Sequence, residues 1–456
     1  MLKSIAIVGA GITGLTAGFY LKRKGFAVTV YDAAPRAGGV IRSIRRDGFL
    51  AEAGPNTILE TSPKIAQLVA DAGLASRRRY TSPAAKNRYL VRAGRPVVMP
   101  TSLSGFISTP LFSSRAKLVV LREPFVPGRY DGADESVADF VTRRLNREFL
   151  DRAVDALVAG IYAGAPEKLS VRHALPRLYE QEQKYGSLIR GQIFGAGDRK
   201  RRGEVARNKA KMFSFDEGLQ VLPDGLAAQL GGSLKLDVPV TKLVSADGHW
   251  TVVTAGGEAK HDAVIYCGTA HQLAELLVEL PARVDLKIFS DVRYAPVASV
   301  VLGFRRADVA HPLDGFGMLV PGIEKTNILG TIFSSSLFPD RAPADHVVLT
   351  SYLGGERHPE LASRPEDELV ALALADLRSL LGVRGEPVFR HLALYPKAIP
   401  QYNVGYGKFK AMIDAIELKA SGLFFAGHYR DGVSLGDSIV SGCNMVQRVE
   451  NYLTTA

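Results

Sequence analysis

Apolar and polar positions alternate near the start of the chain in a pattern that predicts its local structure. Ile5 to Val8 form a short apolar run, and Gly9-Ala10-Gly11-Ile12-Thr13-Gly14 follows at once. From Leu15 to Lys24 apolar residues recur at helical spacing until Gly25 ends the pattern. A second run, Ala27-Val28-Thr29-Val30-Tyr31, closes on Asp32. Strand, tight turn, helix and strand in this order predict a compact βαβ unit.

Further along, Val137, Phe140, Val141, Leu145 and Phe149 fall at helical intervals between Ser136 and Val158, and Ser136 with Asp139 predicts a helix cap. Short strands return between Leu234 and Cys267, with Asp247-Gly248 and Gly256-Gly257 as hairpin turns and a buried strand at Asp262-Ala263-Val264-Ile265-Tyr266. Apolar runs at Ser299 to Phe304, Gly317 to Val320 and Val347 to Leu353 predict a second sheet. Leu423-Phe424-Phe425-Ala426-Gly427 reads as a buried strand, and Gly436-Asp437-Ser438 as the opening of a closing helix. The class is α/β, and no internal repeat is present.

At 456 residues the chain is long enough for two or three domains and a sizeable ligand. Hydrophobic residues at 46% and charged residues at 23% describe a folded globular protein. Cys267 and Cys443 are the only cysteines and lack partners at metal-ligand spacing, so neither a disulfide framework nor a zinc site is predicted, and a reducing compartment is favoured. They read as buried packing residues. No run reaches the roughly 18 to 20 apolar residues that cross a bilayer, and the first residues pass straight into a strand with no room for a cleavable leader. The formal charge of +11 suits anionic partners. Its sharpest cluster, Arg199-Lys200-Arg201-Arg202 with Arg207, Lys209 and Lys211, lacks interleaved aromatics, which disfavours nucleic acid and leaves a solvated loop as the simpler reading.

The spacing of Gly9, Gly11 and Gly14 is the GxGxxG fingerprint: a tight turn, close backbone approach to a pyrophosphate, and close helix packing. The helix N-terminus then faces the phosphates, and Asp32 ends the second strand where a carboxylate accepts ribose hydroxyls. NAD and FAD share this fingerprint. The continuation Arg36-Ala37-Gly38-Gly39-Val40-Ile41-Arg42-Ser43 places two glycines after an arginine whose guanidinium could offset phosphate charge.

That continuation resembles the FAD-binding oxidases that include amine oxidases, carotenoid desaturases and protoporphyrinogen oxidases. Glu52-Ala53-Gly54-Pro55-Asn56-Thr57 is similar to the segment those proteins lay against the flavin. Phe425-Ala426-Gly427 with Asp431-Gly432-Val433-Ser434-Leu435-Gly436-Asp437 is similar to their second flavin-binding stretch. Asn87-Arg88-Tyr89-Leu90, Gly160-Ile161-Tyr162-Ala163-Gly164, Lys168-Leu169-Ser170, Tyr185-Gly186-Ser187-Leu188-Ile189, Gly315-Phe316-Gly317-Met318-Leu319-Val320-Pro321 and Ile399-Pro400-Gln401-Tyr402 occur in the order found in the protoporphyrinogen oxidase family, over nearly the full chain.

The resemblance implies an FAD-binding Rossmann-like domain from residues 1–85, 212–285 and 405–456, a β-sheet substrate domain from 86–98 and 286–404, and an inserted helical domain at 99–211. It implies FAD contacts from Gly9, Ala10, Gly11, Ile12, Thr13 and Gly14, from Asp32 and Ala33, and from Arg36, Gly38, Gly39, Val40 and Arg42. It implies further contacts from Gly54, Pro55, Asn56 and Thr57, from Val240 beside the adenine, and from Gly427, Val433, Ser434 and Leu435. For the substrate it implies Arg88 as the carboxylate partner, Phe316, Gly317, Leu319 and Ile332 as apolar walls, and Tyr352 where the pocket closes. His428 departs from the small amide or acidic residue usual in such proteins near the ribityl chain and reads as a packing residue.

The implied activity is oxidation of protoporphyrinogen IX by FAD in two-electron steps, with molecular oxygen as acceptor; no side-chain base is nominated. Coproporphyrinogen III oxidation, an amine oxidase and a non-catalytic flavoprotein stay open as alternatives. A cytoplasmic location is expected, with the helical insert on an anionic membrane surface; a homodimer is compatible with the chain. No metal is expected.

Overall fold

The computed structural model describes residues 2–195, 210–280 and 285–455. Five parallel strands form one sheet in the order Leu234–Lys235, Ala27–Tyr31, Ser4–Val8, Ala263–Tyr266 and Leu423–Phe425. Ile5, Ala6 and Ile7 are fully buried, as a parallel sheet covered on both faces requires. The N-terminal, middle and C-terminal parts of the chain thus share one core. The helix Ile12–Arg23 starts three residues before the apolar spacing predicts. Gly14 therefore lies within it, where a Cβ would stand 2.0 Å from the Gly9 carbonyl oxygen. The closing helix, Leu435–Thr455, packs along this first helix.

The hairpin strands Val240–Ala246, His249–Thr254 and Gly257–His261 follow the predicted pattern. Asp247 and Gly248 turn the first corner with positive φ. At the second corner Gly257 already belongs to the next strand, so the turn falls on Ala255 and Gly256.

A second sheet has seven strands, ordered Phe389–Pro400, Tyr294–Arg305, His346–Gly354, Ile328–Ile332, Gly315–Leu319, Asn87–Arg92 and Arg95–Val98. Strand alternation splits its side chains between two environments. Tyr89, Val91, Ala298, Val300, Met318 and Leu353 share a core with the helix Glu366–Leu381. Toward the other face, Val297 and Leu329 pack with Ala159 of the helix Asp155–Tyr162.

The helical stretch that begins at Val137 is broken rather than continuous. Val137–Arg144 ends at Leu145, Asn146 caps the short helix Arg147–Phe149, and a π turn over Leu150–Val154 leads into Asp155–Tyr162. Ser136 caps the first of these through the Asp139 N–H, as its spacing predicts. The fully buried Arg144 and Glu123 pair at 2.5 Å, and Glu123 also accepts from Ser187 and from the Leu188 and Ile189 amides. That junction brings the Phe125 turn beside the helix Leu188–Phe194. Lys117 donates to the Ile107 and Thr109 carbonyls, which draws Leu103–Ser108 beside Ser114–Arg122. Large apolar side chains on these pieces face solvent, including Leu103 at 75% exposed and Phe125 at 81%. Of the predicted basic cluster, Arg199 to Lys209 lie outside the described residues, while Lys211 stands over the Tyr80 ring. Among the described residues no helix is long and apolar enough to cross a membrane.

Candidate functional site

Four loops converge where the first sheet's parallel strands end, the position at which such sheets bind ligands. After Ser4–Val8, Gly9 turns the chain with φ 111°. Gly11 is the N-cap of the first helix and supplies no side-chain cap, so the N–H groups of the first turn stay open to an anion. A Cβ on Gly11 would meet nothing within 4 Å. After Ala27–Tyr31, the Asp32 carboxylate is held by the Ala10 N–H at 2.5 Å and the Ala34 N–H at 2.8 Å, leaving lone pairs free for hydroxyl donors. The Val238 N–H donates to the Asp32 carbonyl, which brings the Val240 segment alongside Asp32 and Ala33.

The glycine pair Gly38-Gly39 folds back over this turn. The Gly38 N–H donates to the Ala10 carbonyl, and a Cβ on Gly39 would come 3.6 Å from the Gly11 Cα. Arg36 donates to the carbonyls of Gly39 at 2.6 Å and Ile41 at 2.8 Å. Its guanidinium thus shapes the loop from within, a role that spacing alone does not reveal. Val40 and Arg42 are exposed beyond it. A Cβ on Gly54 would stand 2.2 Å from the Val40 carbonyl oxygen, so Gly54, Pro55, Asn56 and Thr57 lie against the same loop.

Glu52, at the head of that segment, is almost fully buried and makes an ion pair with the buried Arg341 at 3.3 Å. It accepts hydrogen bonds from the Ser43 hydroxyl and the Leu219 N–H. Burial pushes its carboxyl up to about 7 against the pull of Arg341.

The last loop follows Leu423–Phe425. Gly427 has φ 119° and donates to the Ser441 hydroxyl, which in turn donates to Asp431. The Ser434 hydroxyl accepts from the Asp437 N–H, and Val433, Ser434 and Leu435 lead into the closing helix. The Cys267-Gly268 backbone abuts both Gly9 and Gly427, so the turns of the first and last loops meet across it. Cys267 and Cys443 are partly buried and pack against the core around the first sheet. His428 packs edge-on to the Tyr294 ring at 5.8 Å. Burial, with some repulsion from His271, lowers it to about 4, so it is neutral at pH 7. Its Nε2 has no partner among the described residues.

The expected substrate residues gather on the second sheet. Leu319 pairs with Gly330 and Leu90, Gly317 with Ile332, and Gly330 in turn with Tyr352. Arg88 lies beside the bulged stretch between Gly315 and Met318 that includes Phe316. Arg88 is exposed and makes no ion pair among the described residues. A Cβ on Gly317 would stand 2.2 Å from the Thr331 carbonyl oxygen, so strand packing demands glycine there. Leu319 packs directly on Gly160, whose Cβ would come 2.6 Å from it. The Tyr352 hydroxyl accepts from the Asn56 amide at 2.5 Å, tying the second sheet to the glycine-lined loops.

Sequence reasoning missed the Glu52–Arg341 pair and the hydrogen bonds that the buried Tyr402 and Tyr406 hydroxyls donate to the His428 and Tyr429 carbonyls. No local pattern signals these partnerships, because each partner lies far away in the chain.

Open space over Gly11, an uncapped helix start and a backbone-held Asp32 fit an FAD. The model for the family described as flavin containing amine oxidoreductase matches residues 12–450. Protoporphyrinogen oxidase 2, chloroplastic/mitochondrial, of Arabidopsis thaliana is 35% identical over 99% of this chain and 94% of its own length. Coproporphyrinogen III oxidase of Bacillus subtilis (strain 168) is 28% identical over 99% of this chain and 98% of its own. A solved structure from Exiguobacterium sp. 255-15 superposes with a TM-score of 0.82 over 98% of this chain and 99% of that one, at 24% identity, which bears on the fold alone. Family model, full-length relatives and fold agree: the chain belongs to the flavin containing amine oxidoreductases, in their protoporphyrinogen oxidase group.

Proposed function

We propose that this enzyme oxidises protoporphyrinogen IX to protoporphyrin IX with FAD as cofactor and molecular oxygen as electron acceptor. The observation that carries this reading is the Asn56–Tyr352 hydrogen bond, which joins the glycine-lined loops to the sheet bearing Arg88, Phe316, Leu319 and Ile332. The five-strand sheet supports a discontinuous cofactor domain, the seven-strand sheet a substrate domain, and the helices described between residues 103 and 194 a helical insert. FAD, when bound, accepts hydride and passes electrons on to oxygen.

The chain's own residues bind, orient and exclude water. The Gly9–Gly14 turn and the first helix take the pyrophosphate, Asp32 the ribose, and the 52–57 and 427–435 segments the ring and ribityl chain. Arg88 holds a substrate carboxylate through paired N–H donors. Leu319 and Ile332 give the macrocycle an apolar wall. The substrate loses hydrogen toward an aromatic product, so positioning supplies much of the rate without a side-chain base.

Incubation of the protein with each porphyrinogen in air, followed by porphyrin fluorescence, tests the reading. Faster growth on protoporphyrinogen is expected, and coproporphyrinogen as the better substrate would place the chain with its Bacillus relative. Arg88→Ala should raise KM about tenfold with little change in kcat, from loss of one charge-assisted contact; an unchanged KM removes Arg88 from the site.

The solvent-facing Leu103, Ile107, Leu118, Leu121 and Phe125, with Ile193 and Phe194 on the adjoining helix, support attachment to the cytoplasmic face of an anionic membrane. Sedimentation with phosphatidylserine vesicles should pull down the protein and leave Leu121→Ser/Phe125→Ser largely in the supernatant. Equal sedimentation of both would contradict the attachment.

A further inference from the structure

The string Ile399-Pro400-Gln401-Tyr402 stands out in the sequence and lies outside the proposed cofactor and substrate contacts. It ends the long strand Phe389–Pro400, and Gln401 and Tyr402 are almost fully buried. The Gln401 amide donates to the Tyr162 carbonyl at 2.8 Å, within the Gly160–Gly164 string. The Ser170 N–H donates to the Tyr402 carbonyl, and the Val404 N–H to the Lys168 carbonyl, within the Lys168–Ser170 string. On its other side the Tyr402 hydroxyl donates to the His428 carbonyl and accepts from the Gly432 N–H at 3.1 Å. The Tyr406 hydroxyl donates to the Tyr429 carbonyl at 2.6 Å, and the two tyrosine rings lie 4.4 Å apart.

A phenol has one hydrogen to give, and Tyr402 spends it on one end of the 428–432 loop while accepting from the other. Close contact between the tilted rings and burial leave neither tyrosine free to relax. We propose that Tyr402 and Tyr406 are positioning residues that clamp the 428–432 loop at the width the cofactor needs. Through Gln401 and the Tyr402 backbone, the same segment fastens that loop to the helical insert. The inference rests on the reading that residues 427–435 meet the flavin.

Tyr402→Phe keeps the ring and removes both loop contacts. Tyr20→Phe is the matched control, since the Tyr20 hydroxyl donates to the Asp71 carboxylate at 3.0 Å, away from the loop. Both proteins are purified with FAD, stripped, and titrated with FAD by fluorescence quenching; visible circular dichroism and melting are recorded alongside. Tyr402→Phe should bind FAD roughly tenfold more weakly, as expected for the loss of a buried hydrogen-bond partner, and should show an altered flavin dichroism band. Tyr20→Phe should melt earlier while keeping wild-type affinity and spectrum. Should Tyr402→Phe fail to fold, Tyr406→Phe, which frees only the Tyr429 carbonyl, is read against the same control. Wild-type affinity and dichroism in the tyrosine variants, with only melting lowered, would overturn the clamp. A wild-type protein that takes up no FAD would instead overturn the functional reading beneath it.

Discussion

Gly11→Ala is expected to leave the protein folded and to weaken FAD binding about 100-fold, whereas Gly14→Ala should damage the fold itself. The two glycines belong to one motif yet face different things. A methyl on Gly11 meets no protein atom within 4 Å, and the residue's φ of −67° suits any amino acid. The space above it is where a pyrophosphate would approach the backbone, so the added group is felt only by the cofactor. A 100-fold loss corresponds to about 2.8 kcal/mol. A methyl on Gly14 would sit 2.0 Å from the Gly9 carbonyl, and the turn must open to admit it. Overpacking of that severity costs about 3 kcal/mol. Melting curves with and without FAD separate the cases: Gly11→Ala should lose only the stabilisation that FAD gives, and Gly14→Ala should melt early in both. Equal apo stability for the two variants would contradict the assignment.

Arg341→Met should destabilise the protein by about 3–5 kcal/mol at pH 8, because it strands the buried Glu52 without its countercharge. The loss should shrink at acid pH. Glu52 titrates at about 7 in the folded protein and near 4.5 when unfolded. Its contribution to stability is thus full below pH 4.5 and is lost as pH rises through 7. Removing Arg341 takes away the influence that lowers this carboxyl, so the folded value climbs further and the pH dependence steepens. Burial pulls Arg341 below its ordinary value, yet a guanidinium starts so high that it stays charged. Urea midpoints at pH 5 and pH 8 test this, with the larger deficit expected at pH 8. A deficit independent of pH would mean that Glu52 does not ionise in this window. Arg341→Met/Glu52→Gln should recover part of the loss, since neither charge then remains buried alone.

The parts of the site that were legible in the sequence are those that local geometry dictates. The Gly9–Gly14 turn and the strand ending at Asp32 fall within one βαβ unit, where period-2 and period-3.6 patterns speak clearly. Misplaced boundaries have local causes too: Gly14 sits inside the helix because its missing side chain admits the Gly9 carbonyl. The break after Arg144 was hidden because the apolar spacing runs on through Asn146 and the π turn. What stayed illegible is the set of contacts that joins distant segments: Glu52 with Arg341, Asn56 with Tyr352, and Tyr402 with the His428 carbonyl. In the sequence each is an ordinary polar residue, and only folding reveals that its partner is buried beside it. Arg36 adds a contact within one loop that its place beside the glycine pair does not announce: its N–H groups hold the Gly39 and Ile41 carbonyls.

The most direct test of the central claim is anaerobic mixing of the purified protein with protoporphyrinogen IX while the flavin absorbance near 450 nm is followed. One FAD per chain, bleached by the porphyrinogen and restored when air is admitted, is the predicted result. A chain that carries no flavin, or whose bound flavin keeps its absorbance in the presence of excess porphyrinogen, would contradict the account.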